Sequence, residues 1–460
     1  MSPFAAFFAF AIVAPPVSLW CVRRHGARPA AVALATFLIG WLLLPVGPYP
    51  AGAIEARFPY WLTGAAVPSD MLVTKAWVAP LVALLVSLAV DRRAFAALRP
   101  TVFDAAMLLW CCWPLVGLAT ATSPAPSPPL AAAYLAGTWG ATWLLGRLHL
   151  GTAGGRRLLL EALPWVGLGC LPFALWETVA GPAEHGVYGW LYDTVHPFRA
   201  DGDERYVGFR PIGFFEHGNQ YGMWMAVSAL AATWLAVATR EPWRVVVAGL
   251  LVAAAVLSQS LGALLLLAGA LALLAGARRV RPRTVALAAV VALTAGGVLY
   301  ASGAVPWLRL GKETAAGRAV VDAFRHAGRG SLPWRVAQDQ RALGLALDSP
   351  LAGSGRWDWW RPLGSRPWGL TMQAQGQFGA VGLLALLVAW LGPPVRAAWR
   401  APPGRSAWDA ARPALALGAI AAIGLADSAL NAFVAWPSVL AAAALARAAS
   451  LAEPIATMDR

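Results

Sequence analysis

Residues 208–222 read GFRPIGFFEHGNQYG and open directly into the apolar run 223–237. Polar groups at the mouth of such a run are costly, so they are functional candidates by default. The fork of Arg210 is suited to gripping a phosphate through two hydrogen bonds. Glu216 or His217 can take the proton of an attacking hydroxyl. Gly213 permits a tight turn. Asn219 is a candidate cap for the following helix, whose N-terminus favours an anion. Asp201 and Asp203 sit in the same loop. Paired carboxylates can hold a divalent metal, but Asp and Gly are also ordinary loop residues, and no metal is expected.

A second polar stretch, 302–369, carries two candidate helices at 315–326 and 334–347. Arg335 and Asp339 are spaced to pair on one helix face. Arg335, Arg341 and Arg356 are candidates for an anionic headgroup, and His326, flanked by Arg325 and Arg329, is a further candidate base. The competing reading is a solvated amphipathic pair that covers the rest of the protein.

The elements that must hold these groups are apolar. Of 460 residues, 59% are hydrophobic and 13% charged, whereas soluble domains carry about 25% charged residues. The fold expected is all-α: a polytopic transmembrane helical bundle of about twelve to thirteen spans, each near twenty residues. The segments are 4–21, 30–46, 71–90, 101–119, 129–145 and 158–179, then 220–238, 245–257, 261–275 and 284–301, and finally 370–391, 414–427 and 429–447. The run 245–257 ends in Ser258-Gln259-Ser260, leaving one long helix or two short ones. The long loops 180–219 and 302–369 both mix acids with arginines, and 47–70 suits an interfacial turn.

The net charge of +14 does not point to nucleic acid. It falls mostly on short loops after alternate segments, such as Arg92, Arg93 and Arg99, or Arg278, Arg279, Arg281 and Arg283, or Arg396, Arg400, Arg405 and Arg412. Such loops face the cytoplasm, which puts the two long loops and the N-terminus outside and the C-terminus inside. Only Lys75 and Lys312 are lysines. The cysteines Cys21, Cys111, Cys112 and Cys170 lie in apolar segments without metal spacing and read as small buried residues. The glycines within apolar runs read as helix-packing residues.

From Arg210 to the C-terminus the order of motifs resembles the O-antigen ligase and polymerase family. RPIGFFEHGNQYG is similar to its Arg, Gly and Asn block, and LSQSLGALLLLAGALAL to its Ser-Arg-Gly-Ala helix start. WRVAQDQRALGLALDSPLAGSG resembles its outer-loop block, QGQFGAVGLLALL its Gly-x-x-Gly-Leu helix start, and ADSALN its last polar turn. The resemblance implies N-terminal helices over 1–180 and a catalytic membrane region over 181–460. It implies a multi-pass protein of the bacterial cytoplasmic membrane with its active face outside. There a glycan would pass from a polyprenyl (undecaprenyl) diphosphate carrier to an acceptor hydroxyl on a lipid-linked core or growing polysaccharide, with no cofactor and no metal. Arg210 and Arg335 match family arginines. The chain departs from the pattern where Leu261 follows Ser260, where Trp368 stands for the usual His, and where Gln377 replaces a common Glu. A substitute base among Glu216, His217 and His326 would preserve transfer. A lipid-linked glycan transporter or flippase and a catalytically inactive assembly partner are the alternatives. Few ionisable residues within the segments (Asp104, Glu161, Glu177, Asp427) argue against the transporter.

Overall fold

The computed structural model describes residues 1–47, 73–116, 128–182, 186–192, 196, 202–205, 207–276, 280–326, 331–356, 359–364, 366–401 and 413–447. Asp201, Arg278, Arg279, Arg329, Arg405, Arg412 and nearly all of 47–70 lie outside them. The helices run in chain order α1 Pro3–His25, α2 Pro29–Leu43, α3 Lys75–Val90, α4 Arg92–Ala96, α5 Val102–Cys112, α6 Pro128–Leu135, α7 Ala141–His149, α8 Ala153–Ala180 and α9 Val187–Tyr192. They continue as α10 Gly218–Thr239, α11 Pro242–Leu257, α12 Leu261–Gly276, α13 Pro282–Ala301, α14 Trp307–Glu313, α15 Ala315–His326, α16 Ser331–Leu347, α17 Leu370–Arg400, α18 Pro413–Ser428 and α19 Trp436–Leu445. A π-helical stretch, Ala136–Gly140, joins α6 to α7. One short antiparallel ladder, β1 Glu204–Arg205 with β2 Gly208–Phe209, leads into Arg210.

The protein is an all-α bundle, and α1, α8, α10 and α17 are long and apolar enough to cross a membrane. Large apolar side chains face outward around it: Phe8, Ile12, Leu108, Trp165 and Leu384 are each 60–68% exposed. An apolar surface of that extent marks contact with lipid or partners rather than water.

Two expected segments are redrawn and one left open is settled. The run around Ser258 is two helices, because Gln259 takes a left-handed backbone (φ 54°) that no helix continues. Segment 370–391 extends to Arg400 but breaks at Gly379 (φ 66°, ψ −172°). The last helix begins at Trp436, with Pro437 in its first turn, not at 429; a proline there gives up only an N–H that has no helical partner. Cys112 is exposed, unlike its buried neighbour Cys111, since adjacent helix positions face different directions.

One hydrophobic core runs through helices on both sides of residue 180. At its centre is a chain of indoles: Trp41 lies 5.8 Å from Trp436, Trp436 5.1 Å from Trp139, and Trp139 5.5 Å from Trp390 and 5.8 Å from Trp110. Small residues let helices close around it. Gly146 of α7 approaches Ala443 of α19 so nearly that a Cβ would lie 2.6 Å away.

The bundle has two chemically unlike ends. At one, Arg147 ion-pairs with Asp104 at 2.7 Å and donates to Arg99 O, while Arg396 donates to Arg447 O. At the other, irregular backbone from three distant parts of the chain meets.

Candidate functional site

The polar end is assembled around the turn before α10. Glu177, near the end of α8 and fully buried, accepts N–H groups from Ile212 (2.8 Å) and Gly213 (2.7 Å), and also from Val187. Gly213 has φ 58°, which glycine adopts without steric cost. Lys75, the first residue of α3, donates to Phe214 O and lies over the rings of Trp41 and Phe215. Glu216 supplies the opposite charge beside it. The break at Gln259 closes the third side: its Nε2 donates to Val207 O at 3.0 Å, and Ser258 O accepts from Arg210 Nε at 3.2 Å.

From this frame a hydrogen-bonded relay crosses the end of the bundle. Arg210, 1% exposed, donates to Asn219 Oδ1 at 2.6 Å. Asn219 Nδ2 donates to Asn431 Oδ1 at 3.0 Å. Arg335 of α16 donates to the same Asn431 oxygen and to Leu430 O. Asn431 Nδ2 then donates to Asp427 Oδ1 at 2.6 Å. Arg210 and Arg335, expected as phosphate ligands, are thus tied to one asparagine pair.

Beside the relay, Trp368 sits under two cations: Arg366 is 4.4 Å and Arg335 5.2 Å from its ring centre. Trp334 meets it edge-on at 5.4 Å. His217 stacks on Phe433 at 4.4 Å and faces Trp368 at 6.3 Å. A guanidinium over an indole face is held there by attraction to the negative face of the ring.

Several expected roles change. Asn219 is not the cap of α10; His217 is, with extended backbone and Nδ1 accepting the Asn219 N–H at 3.0 Å. That bond commits Nδ1 as an acceptor. Glu216 is fully buried and bonded both ways to Gln220, at 3.0 and 2.9 Å, with Gln220 also reaching Val434 O. It is placed as a counter-charge and brace. His326 lies exposed on α15 and bonds to Asp322 O within that helix; the structure does not bring it to the relay. Arg341 is likewise exposed, on α16. Helix α15 is amphipathic, but none of its residues is buried, so it does not cover the bundle. Asp203 is exposed, and among the described residues no three His, Cys, Asp or Glu groups gather as metal ligands.

Arg335 and Asp339 do not pair; each turns to a different partner. Asp339 accepts the N–H of Trp368 at 2.7 Å and of Gly369 at 3.4 Å, and the hydroxyl of Tyr300 at 2.9 Å. It thereby fixes the start of α17 against α16. Burial pushes its carboxyl up to about 6, against the pull of these bonds and of Arg335. The folded protein therefore holds this proton more tightly than the unfolded chain, where the value is near 3.9. Its contribution to stability is full below about pH 4 and is lost as pH rises through about 6, roughly 3 kcal/mol in all. Asp339→Asn is expected to flatten the unfolding midpoint between pH 4 and 7, measured in detergent; an unchanged pH slope would refute the assignment.

Sequence reasoning missed Lys75 as a member of the site, and although it singled out Asp339, Trp368 and the ADSALN turn that holds Asn431, it did not bring them together. Lys75 had a signal, being one of two lysines and set at the mouth of an apolar run. Compared with known proteins, the chain matches no family model, no curated protein and no solved structure.

Proposed function

We propose that the chain is a multi-pass membrane glycosyltransferase that moves a glycan from a polyprenyl diphosphate to an acceptor hydroxyl. It spans the cytoplasmic membrane about thirteen times with helices near twenty residues long where unbroken. The arginine-rich end faces the cytoplasm, and the relay faces out. The observation that carries this reading is the meeting of Arg210 and Arg335, far apart in sequence, on the Asn219–Asn431 pair beside Arg366 and Trp368.

In this reading Arg335 and Arg366 receive the diphosphate, and Arg210 positions Arg335 through the asparagine pair. The acceptor oxygen bonds to the anomeric carbon. The bond from that carbon to the diphosphate oxygen breaks with its electron pair, and the hydroxyl proton passes to the departing diphosphate. Stabilising the leaving group's charge is the main lever of such a site. With Glu216 bonded into the bundle and His326 distant, His217 is the candidate base left beside the relay, and passing the proton to the departing diphosphate needs none.

The burial of Glu216 and Arg210 favours one alternative, an assembly partner whose polar end is structural. Deleting the gene in its host and complementing it with wild type, Arg335→Ala or Arg366→Ala separates the two. Transfer predicts loss of surface glycan, accumulation of polyprenyl-linked glycan, and failure of both variants to rescue despite normal protein levels. Full rescue by both would leave the assembly role.

A further inference from the structure

At the arginine-rich end a cleft of about 210 Å³ opens between α8, α10 and α11. Pro164, Leu168, Leu235 and Val247 form its apolar floor. Its rim carries Trp165, Trp243, Glu161 and Arg244. The helices separate here for sequence reasons. Pro164 leaves a carbonyl one turn earlier without its helical N–H, and α11 starts afresh at Pro242 after a left-handed turn at Arg240.

The rim is unusual in two ways. Trp165 is 64% exposed, and its ring stacks toward Trp243 with centres 6.5 Å apart. Indoles in that position belong at the level of lipid headgroups. The charges also alternate. Arg244 pairs with Glu241 at 2.5 Å and lies 4.8 Å over Trp243, and Arg157 pairs with Glu161 at 2.8 Å. The hydrogen bond from Arg244 holds the Glu241 carboxyl below its ordinary value, and Arg157 adds a smaller pull, so the two ion pairs lie within electrostatic reach of one another. Exposed pairs of this kind contribute little to folding, and they leave both indoles facing out.

We propose that the cleft binds one phospholipid with a zwitterionic headgroup bearing a primary amine, its phosphate on Arg244 and its ammonium on Glu161. Equal numbers of acids and bases at the rim disfavour a purely anionic lipid. A quaternary ammonium has no N–H to donate to Glu161, which disfavours choline. The acyl chains begin on the floor, between the two indoles. The inference rests on α8 and α10 crossing a bilayer, which both are long and apolar enough to do. It is independent of glycan transfer.

The test uses the full chain, delipidated in detergent and offered phosphatidylethanolamine, phosphatidylcholine or phosphatidylglycerol of matched chains, with retained lipid counted by native mass spectrometry. Wild type should retain one phosphatidylethanolamine at about tenfold lower concentration than the others, as loss of one charge-assisted hydrogen bond predicts. Combining Glu161→Gln with Arg244→Gln should erase that preference, while Trp165→Ala should weaken all three lipids alike. Equal retention by wild type, or a preference that survives the double variant, would overturn the site. If the double variant unfolds, a phosphatidylethanolamine with a diazirine near the glycerol decides on wild type. Adducts on α8 and α11 support the site, and adducts only elsewhere refute it.

Discussion

Asn431→Ala is expected to lose about 3 kcal/mol of stability, because it strips one partner from three buried or half-buried groups at once. Asp427 loses the Nδ2 donor at 2.6 Å, and Asn219 and Arg335 lose their shared acceptor. Arg335 would keep Leu430 O and the Trp368 face but lose its asparagine tether. A displacement of about 1 Å at a reacting site costs on the order of a hundredfold in rate, so the proposed glycan transfer should fall by that order even where the protein still folds. Asn431→Asp separates the parts. It keeps an oxygen for Arg335 but turns the donor to Asp427 into a like charge, so stability should drop while Arg335 stays tethered. Unfolding midpoints in detergent and the surface-glycan profile are the readouts. An Asn431→Ala protein with wild-type values in both would show that the relay holds nothing in place.

The second large effect is expected where the loop before α17 threads into the break of that helix. Pro350 O and Leu351 O accept the N–H groups of Ala380 (2.8 Å) and Val381 (3.2 Å), and Ser354 and Gly355 donate to Gly376 O and Gln377 O, both at 2.9 Å. Trp113 Nε1 reaches Ala352 O at 3.2 Å. Irregular backbone at membrane depth survives only when its polar groups are satisfied in this way. The two backbones cross where Gly353 and Gly379 stand, at φ 77° and 66°. A Cβ on Gly353 would run into Gln377 and Gly379 backbone, and one on Gly379 into Leu351 backbone. Neither clash can be relieved by a side-chain rotation. Gly353→Ala and Gly379→Ala should each cost more than 3 kcal/mol, combining left-handed strain of about 1–2 kcal/mol with overpacking of about 1–3 kcal/mol. Gly269→Ala, with nothing within 4 Å of its Cβ, is the matched control and should be silent. Steady-state protein in membranes, measured by immunoblot, checks all three; wild-type levels of either crossing variant would refute the packing described.

The first expectation concerns contacts between segments far apart in the chain and the second a crossing of backbones 22–30 residues apart, and both lie where sequence reasoning thinned. The polar turn 208–222 stood out against its apolar surroundings, and it does lie at the assembled end. The roles within it were not legible. Asn219 is the better cap by residue type, and only the backbone (φ −160°, ψ 149°) and side chain at His217 show that it caps instead. Glu216 offered a base by type, and its enclosure by Gln220, Val434 and Lys75 made it a brace. Arg335 and Asp339 had the spacing of a helix pair, yet better partners lay across the bundle.

By itself the sequence determined that this chain is mostly helical and apolar, roughly where its long apolar helices lie, and that its charge gathers on short arginine loops. Those properties follow from local composition and hydrophobic length, which act within a turn or two of the chain. Only the tertiary structure decided that Arg210, Asn219, Arg335, Asp427 and Asn431 form one relay, that Lys75 and Glu177 hold its turn, and that His326 stands apart. Hydrogen bonds between residues hundreds of positions apart depend on how whole helices pack, and packing is set by the indole core and the glycine crossings together. No local pattern encodes that sum.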